Sequence, residues 1–314
     1  MKGGSIMPRN EQILVIGGVN VDISGTSSTP IVQGDSNPGK VTVTLGGVGR
    51  NIAENLSRLG ASVGMITALG DDANAQWLRE NCKEIGIDLT HSLTVPSART
   101  STYLCLNDCD GEIAVAVSDM DIYEHLTPEF LAQKLDVINQ AALVIVDGNL
   151  SKESINFLAE NCKAPMAADP VSSKKAEKLL DAQGRFLFMK PNRMEASLLT
   201  GLKVTEDLED LKKGAAAFME KGMRYVIVSL GRHGVYFNDG QESGILPNMT
   251  RDIVNTTGCG DAFMAAASLA FVQGKPLREM ARMGLAASAV CSRSNSAVNP
   301  LISYNEIMKV LEEV

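Results

Sequence analysis

The chain has 314 residues, of which 45% are hydrophobic and 21% charged, a composition that supports a large packed core and excludes a disordered chain. Its net charge of −8 argues against nucleic acid or an anionic membrane surface as the main partner. No apolar run has the length of a membrane span.

The start, MKGGSIMPRN, has no apolar core after Lys2 and does not read as a secretion signal. Residues 1–10 are expected to be a tail, and a cloning remnant before Met7 is compatible with them. Ile13–Ile16 (ILVI) reads as a buried strand ended by Gly17-Gly18. Asn20-Val21-Asp22 follows, either as an Asx turn or as a pair of side chains reaching vicinal hydroxyls. After the turn-like SNPG, KVTVT (Lys40–Thr44) reads as a strand. Gly46-Gly47-Val48-Gly49-Arg50-Asn51 then opens an amphipathic helix over Val48–Leu59, with Gly60 as its stop. Val63–Leu69 predicts a strand and Asp72–Ile85 a helix. Thr100–Val117 holds two β-rich runs around the turn sequence Asp108–Gly111, which predicts a hairpin.

From Leu143 the chain alternates. Strands are predicted at Leu143–Val146, Pro165–Ala168, Phe186–Met189 and Tyr225–Ser229, and one or more short strands within Val235–Ile253. Helices are predicted at Lys152–Asn161, Ser173–Leu180, Met194–Leu199, Leu208–Lys221, Ala262–Val272, Pro276–Cys291 and Tyr304–Glu313. Strands alternating with helices imply an α/β fold with a mostly parallel sheet covered on both faces. The hairpin and the 40–44 strand stand apart as a small β lid. One domain over residues 11–314 is expected, with lid segments near 31–45 and 100–118.

The six cysteines (Cys82, Cys105, Cys109, Cys162, Cys259 and Cys291) contain no C-x-x-C pair and lie far in sequence from the three histidines. They read as free thiols in a reducing cytoplasm, the expected location.

Ligands of open parallel sheets bind beyond the carboxyl ends of the strands. Asn255–Asp261 (NTTGCGD) leads into the apolar stretch after Asp261. A helix starting there leaves amides unpaired, and Gly258, Cys259 and Gly260 would let them surround a phosphate. The Cys259 amide is expected to serve and its thiol to be incidental. Asp261 is placed to accept a proton from an attacking hydroxyl; its plain reading is a helix cap. Asn51 falls in the first turn of its helix, near a hydroxyl or merely near the cap. Asn192 and Glu195 have capping-box spacing. Ser229, Gly231 and Gly234 form a glycine turn after a strand, suited to a passing nucleotide. Neither G-x-x-x-x-G-K-[ST] nor a full dinucleotide fingerprint occurs.

Taken in order, Gly46-Gly47 with Asn51, Asn192-x-x-Glu195 and the 255–261 segment resemble the three motifs of the PfkB/ribokinase family of sugar and nucleoside kinases. The likeness runs along almost the whole chain after residue 10. It implies a ribokinase-like fold, ATP as phosphoryl donor, and Mg²⁺ held by Glu195 through water. It makes Asp261 the base, with the amides around Gly258–Gly260 as the anion hole. Asn20, Asp22, Gly46, Gly47 and Asn51 would bind substrate; Asn192, Ser229, Gly231, Gly234, Gly258 and Gly260 would bind ATP. Two departures stand out. Asn255 replaces the motif's first acid, which leaves a potassium (K⁺) requirement open, and Val48 and Arg50 depart from the ribose-specific pattern. DSNPGK, GGVGRNIAENL, KPNRMEA, SDMDI and ADPVS are most similar to the pseudouridine-kinase branch. That implies a nucleoside acceptor phosphorylated on its 5′-hydroxyl. Ribose, a purine nucleoside or a keto-sugar acid are the other acceptors, a non-catalytic nucleoside sensor is the rival from another class, and a homodimer through the lid is compatible.

Overall fold

The computed structural model describes residues 11–313. The tail read over 1–10 lies outside them. The central sheet has nine strands in the order Ser243–Leu246, Val235–Asn238, Tyr225–Ser229, Phe188–Met189, Met166–Asp169, Leu143–Asp147, Ile13–Ile16, Val63–Ile66, Ile87–Asp88. All pairings from Tyr225–Ser229 to Ile87–Asp88 are parallel; the first two strands add antiparallel. This is the predicted mostly parallel, helix-covered sheet.

The side-chain period of two explains why ILVI is apolar throughout. Ile13 and Val15 enter a core shared with the helices Val48–Arg58, Ala73–Glu84, Cys259–Val272, Leu277–Cys291 and Tyr304–Glu312. Leu14 and Ile16 enter the opposite core, with Lys152–Asn161, Arg193–Thr200 and Leu208–Glu220. Each such side chain, fully buried, contributes about 1.5–3 kcal/mol.

The Cys259–Val272 helix is apolar on all sides and buried from Asp261 to Ala270, wedged against the Val48–Arg58 and Leu277–Cys291 helices. That burial carries Asp261 into the interior. Its N-terminal turn arrives at the carboxyl edge of the sheet.

The small β layer has four strands in the order Gly39–Gly46, Asn20–Ser27, Thr102–Asn107, Ile113–Asp119. Asn20–Ser27 is a strand, where the sequence suggested only a turn or a polar cluster. NVDISGTS has no apolar run. It is held as a strand by partners on both edges, antiparallel to Gly39–Gly46 and parallel to Thr102–Asn107. The lid segment expected near 31–45 contains one strand, and residues 31–38 form the loop leading into it. The two faces of this layer differ. Asp22, Thr44, Tyr103 and Ser118 lie in one register row and share the polar face. Val41, Val43, Leu104, Leu106, Val115 and Val117 share the other and are exposed. Two shorter helices, Pro128–Ala132 and Leu135–Ile138, and the 3₁₀ turn Asp121–His125 fill a stretch the sequence pattern left unassigned.

Candidate active site

Five adjacent parallel strands deliver polar residues to one edge. Gly17-Gly18 follows the first strand; Asp147 and Asp169 end the next two. Lys190 follows Phe188–Met189, and Ser229 ends its strand. The topology therefore aligns residues more than 200 positions apart.

At the centre lies Asp261, only 8% exposed. Its Oδ2 accepts a 2.8 Å hydrogen bond from Asn51 Nδ2, joining two predicted residues 210 positions apart. Burial pushes the carboxyl up to about 8, and the Asp169 and Asp147 charges add to the rise; Asn51 and the Lys190 ammonium oppose it. Asn51 is oriented in turn by Arg50, whose Nη1 lies 3.5 Å from Asn51 Oδ1. Arg50 is itself buried in an ion pair with Glu54 at 2.7 Å and donates to Asn81 Oδ1 at 2.8 Å. The sequence reading treated Arg50 only as a departure from a motif. Glu54 four residues on was the available signal for a buried helical pair.

Gly258 caps the Asp261 helix in the left-handed region at φ 79°, with no side-chain cap. A Cβ there would stand 1.8 Å from the Ala297 carbonyl oxygen, so the position excludes any side chain. The amides of Gly258, Gly260 and Asp261 donate no hydrogen bond among the described residues. Unpaired donors on a helix N-terminus suit an anion. The Cys259 amide differs from its expectation: it closes the preceding turn on the Thr256 carbonyl at 3.2 Å. The unpaired donors of this turn are thus the amides of Gly258, Gly260 and Asp261. Lys190, buried and absent from the predicted set, reaches this turn: its Nζ lies 3.3 Å from where a Gly260 Cβ would be.

Asn192 and Glu195 form a complete capping box. Asn192 Oδ1 accepts from the Glu195 amide at 3.0 Å, and Glu195 Oε2 from the Asn192 amide at 2.9 Å. Their plain structural reading is therefore realised. Burial raises the Glu195 carboxyl, with the nearby Asp169 charge adding to the rise and Lys190 opposing it. The Asp169 and Glu195 carboxylates repel each other, a repulsion that a hard divalent cation would relieve.

Asp22 accepts a hydrogen bond from Asn20, and its carboxylate rests on Gly46, where a Cβ would come within 2.0 Å of Oδ2. Only glycine admits that approach. Burial raises Asp22 to about 6 against the pull of Arg50 and Asn20. Gly47 is the left-handed N-cap of the Asn51 helix.

Asp147 was missed by the sequence reading. Fully buried, its carboxylate accepts from the amides of Gly18 at 2.8 Å, Gly49 at 2.9 Å and Asn149 at 2.8 Å. It knots the loop after the first strand to the Gly46–Asn51 turn. Tyr123, also buried, bonds the backbone of Val19 beside it. A single Asp ending an apolar strand carried no distinguishing sequence signal.

Asn192, Ser229, Gly231, Gly234, Cys259 and Gly260 line one cavity of about 460 Å³, with Lys190 on its wall. Ser229 also holds the neighbouring loop, its amide donating to the Pro191 carbonyl at 2.9 Å. Asn255 is bonded at both ends of its amide, to Thr257 N at 3.0 Å and Asn295 O at 3.1 Å. No described helix is long and apolar enough to cross a membrane.

The family model for pfkB family carbohydrate kinases matches residues 10–303. The chain is 36% identical over 308 residues to a pseudouridine kinase of Escherichia coli, covering 98% of both proteins. It superposes with a TM-score of 0.85 and 31% identity on a carbohydrate kinase from Agrobacterium tumefaciens, covering 97% of this chain and 98% of that one. An Arabidopsis thaliana ribokinase complexed with ribose and ATP shares the fold, with a TM-score of 0.85, 24% identity and 96% and 99% coverage. The chain belongs to the PfkB family of carbohydrate kinases and is a phosphotransferase with an alcohol group as acceptor.

Proposed function

We propose that the protein transfers the γ-phosphoryl group of ATP to the 5′-hydroxyl of a ribonucleoside, with pseudouridine the preferred acceptor. The observation that carries the chemistry is the Asn51–Asp261 hydrogen bond at a helix N-terminus with free amides. A carboxyl with its pKa near the working pH matches the task of taking a hydroxyl proton. The Gly258, Gly260 and Asp261 amides and the Lys190 ammonium would stabilise charge on the transferred group. Asp22, Asn20 and Asn51 would hold the ribose hydroxyls, with Gly46 and Gly47 allowing close approach. ATP would occupy the 460 Å³ cavity along Asn192, Ser229, Gly231 and Gly234. Glu195 and Asp169 would hold Mg²⁺, Glu195 through water. Bound magnesium supplies positive charge to the phosphate oxygens.

The substrate assignment rests on the 36% identity to a pseudouridine kinase and on the polar face of the β layer. Tyr103 stands in register beside Asp22 on that face, so a base attached to a ribose held by Asp22 would meet the phenol ring. Thr100, at the approach to the same strand, is committed elsewhere: its hydroxyl donates to Asp72 at 2.6 Å. The layer would close over the substrate as a lid, and its opposite, exposed apolar face supports pairing with a second copy of the chain.

The test is kcat/KM for pseudouridine, uridine, adenosine and ribose with saturating MgATP. Pseudouridine carries an extra ring N–H, and a site built to accept it disfavours uridine by up to about 10⁴-fold. A tenfold or greater preference for ribose or adenosine would overturn the acceptor while leaving the kinase. Phosphorylation of none of these, nor of other sugars, would favour a nucleoside sensor.

A further inference from the structure

Cys259 and Cys291 are 32 positions apart and belong to different helices, at the first residue of one and the last of the other. The fold packs each thiol against the backbone beside the other, Cys259 Sγ on the Ser288 carbonyl and Cys291 Sγ on the Thr257 carbonyl. The surrounding contacts fix both side chains. Cys259 Sγ lies 3.4 Å from the Ser288 carbonyl, one turn before Cys291, and Ser288 Oγ donates back to the Cys259 carbonyl at 2.8 Å. Cys291 Sγ lies 3.3 Å from the Ala297 carbonyl and 3.8 Å from that of Thr257.

The two thiols are unequal. Cys259 is half-buried and lines the 460 Å³ cavity; Cys291 is wholly buried behind it. Its neighbour Cys291 holds the Cys259 thiol below its usual range, against burial and with help from Lys190. The Cys259 thiol, then burial, pushes the Cys291 thiol up. An accessible, thiolate-prone sulfur with a second thiol waiting behind it is the arrangement that oxidants exploit.

We infer that Cys259 and Cys291 form a reversible oxidation site, in which a hydroperoxide converts the pair to a disulfide and switches off phosphoryl transfer. The Cys259 thiolate attacks the terminal peroxide oxygen. An S–O bond forms as O–O breaks, and with hydrogen peroxide the leaving hydroxide takes a proton to become water. The Cys291 sulfur then attacks the sulfenic sulfur of Cys259; its proton leaves with the displaced hydroxide as a second water. Two thiols are oxidised by two electrons and one peroxide is reduced. A thiol reductant reverses the change.

The consequence for the site follows from distance. Sulfurs held on carbonyls beside one another must close to about 2.05 Å to bond. Cys259 is the first residue of the turn whose amides face the cavity. The turn has little room to follow, because Gly258 already packs against the Ala297 carbonyl that Cys291 Sγ also touches. The movement therefore displaces the Gly258–Asp261 amides and the Asp261 carboxylate. Misplacement by about 1 Å costs on the order of 10²-fold in rate.

The inference rests on the phosphate-site reading of that turn, and the experiment separates the two. The protein is treated with hydrogen peroxide, with and without MgATP, then alkylated, digested and mapped by mass spectrometry while kinase activity is followed. The expected product is an intramolecular Cys259–Cys291 disulfide. Activity should fall about 10²-fold, return with dithiothreitol, and be protected by MgATP. In Cys291→Ala, dimedone should trap a sulfenic acid on Cys259 and no disulfide should form. Oxidation confined to Cys105 and Cys109, or a Cys259–Cys291 bond with full activity, would overturn the inference; mapping the wild-type protein decides this even where the variant folds poorly. Disulfide formation and inactivation without MgATP protection would leave the switch standing and overturn the phosphate-site reading.

Discussion

Replacing Asp261 by Asn should abolish turnover and stabilise the protein, with both effects arising from one carboxyl group. Its pKa in the folded chain is about 8 against 3.8 for the free side chain, because burial and the Asp169 charge disfavour ionisation. A folded pKa above the unfolded value means that the native state holds the proton more tightly. The associated stability is complete below about pH 4 and is lost as pH rises through about 8. Each pH unit in that window corresponds to about 1.4 kcal/mol, so at pH 7 the wild-type site carries a penalty of up to about 4 kcal/mol. An amide cannot ionise and keeps an oxygen to accept from Asn51, so Asp261→Asn escapes that penalty. Losing a general base costs about 10²–10⁴-fold in kcat. Urea unfolding of both proteins at pH 4 and pH 8, beside kinase assays at pH 8, measures both effects. The stabilities should be close at pH 4 and should diverge at pH 8 in favour of the variant. Wild-type stability at pH 8 equal to or above the variant's would refute the buried-charge argument. Retention of more than about a tenth of wild-type kcat would refute the role of base.

Lys190→Met should lower kcat by about 10²-fold through lost charge stabilisation. Because Lys190 holds the Asp261 carboxyl down, the acid limb of kcat/KM should also move to higher pH; a limb that stays in place would disprove the coupling. Tyr103→Leu should raise the nucleoside KM by about 10- to 100-fold, the worth of a base stack, with the KM for ATP unchanged. An unaltered nucleoside KM removes Tyr103 from the site. With Asn255 closing its loop by two neutral hydrogen bonds, activity should be equal in potassium and tetramethylammonium buffers, and strong potassium activation would show that the loop binds the cation after all. Val117→Lys on the exposed apolar face should yield monomers in light scattering if copies pair through that face, whereas wild-type monomers at micromolar concentration would discount the pairing.

The legible parts of the fold were those with a local pattern. The runs of the parallel sheet, the Val48–Arg58 helix with its glycine stop, and the hairpin around Asp108–Gly111 announce themselves by periodicity and turn residues. The Asn20–Ser27 strand did not, because its stability comes from two neighbouring strands rather than its own composition. The candidate site divides in the same way. Gly46, Gly47, Asn51, Gly258 and Asp261 lie in glycine-rich turns before helices, where close approach leaves a sequence mark. Asp147, Asp169 and Lys190 stand singly after apolar strands, and only strand order makes them neighbours. Those three also decide the charge of the centre. Two raise the Asp261 carboxyl and one lowers it, so residues outside its own motif tune the basicity that burial first confers on Asp261. A chain with the same 255–261 segment but a neutral residue at 169 would hold its carboxyl lower, take the proton less readily, and shift the acid limb of kcat/KM to lower pH. Asp169→Asn tests that directly, and an acid limb that stays put or moves upward would show that burial alone sets the basicity of Asp261.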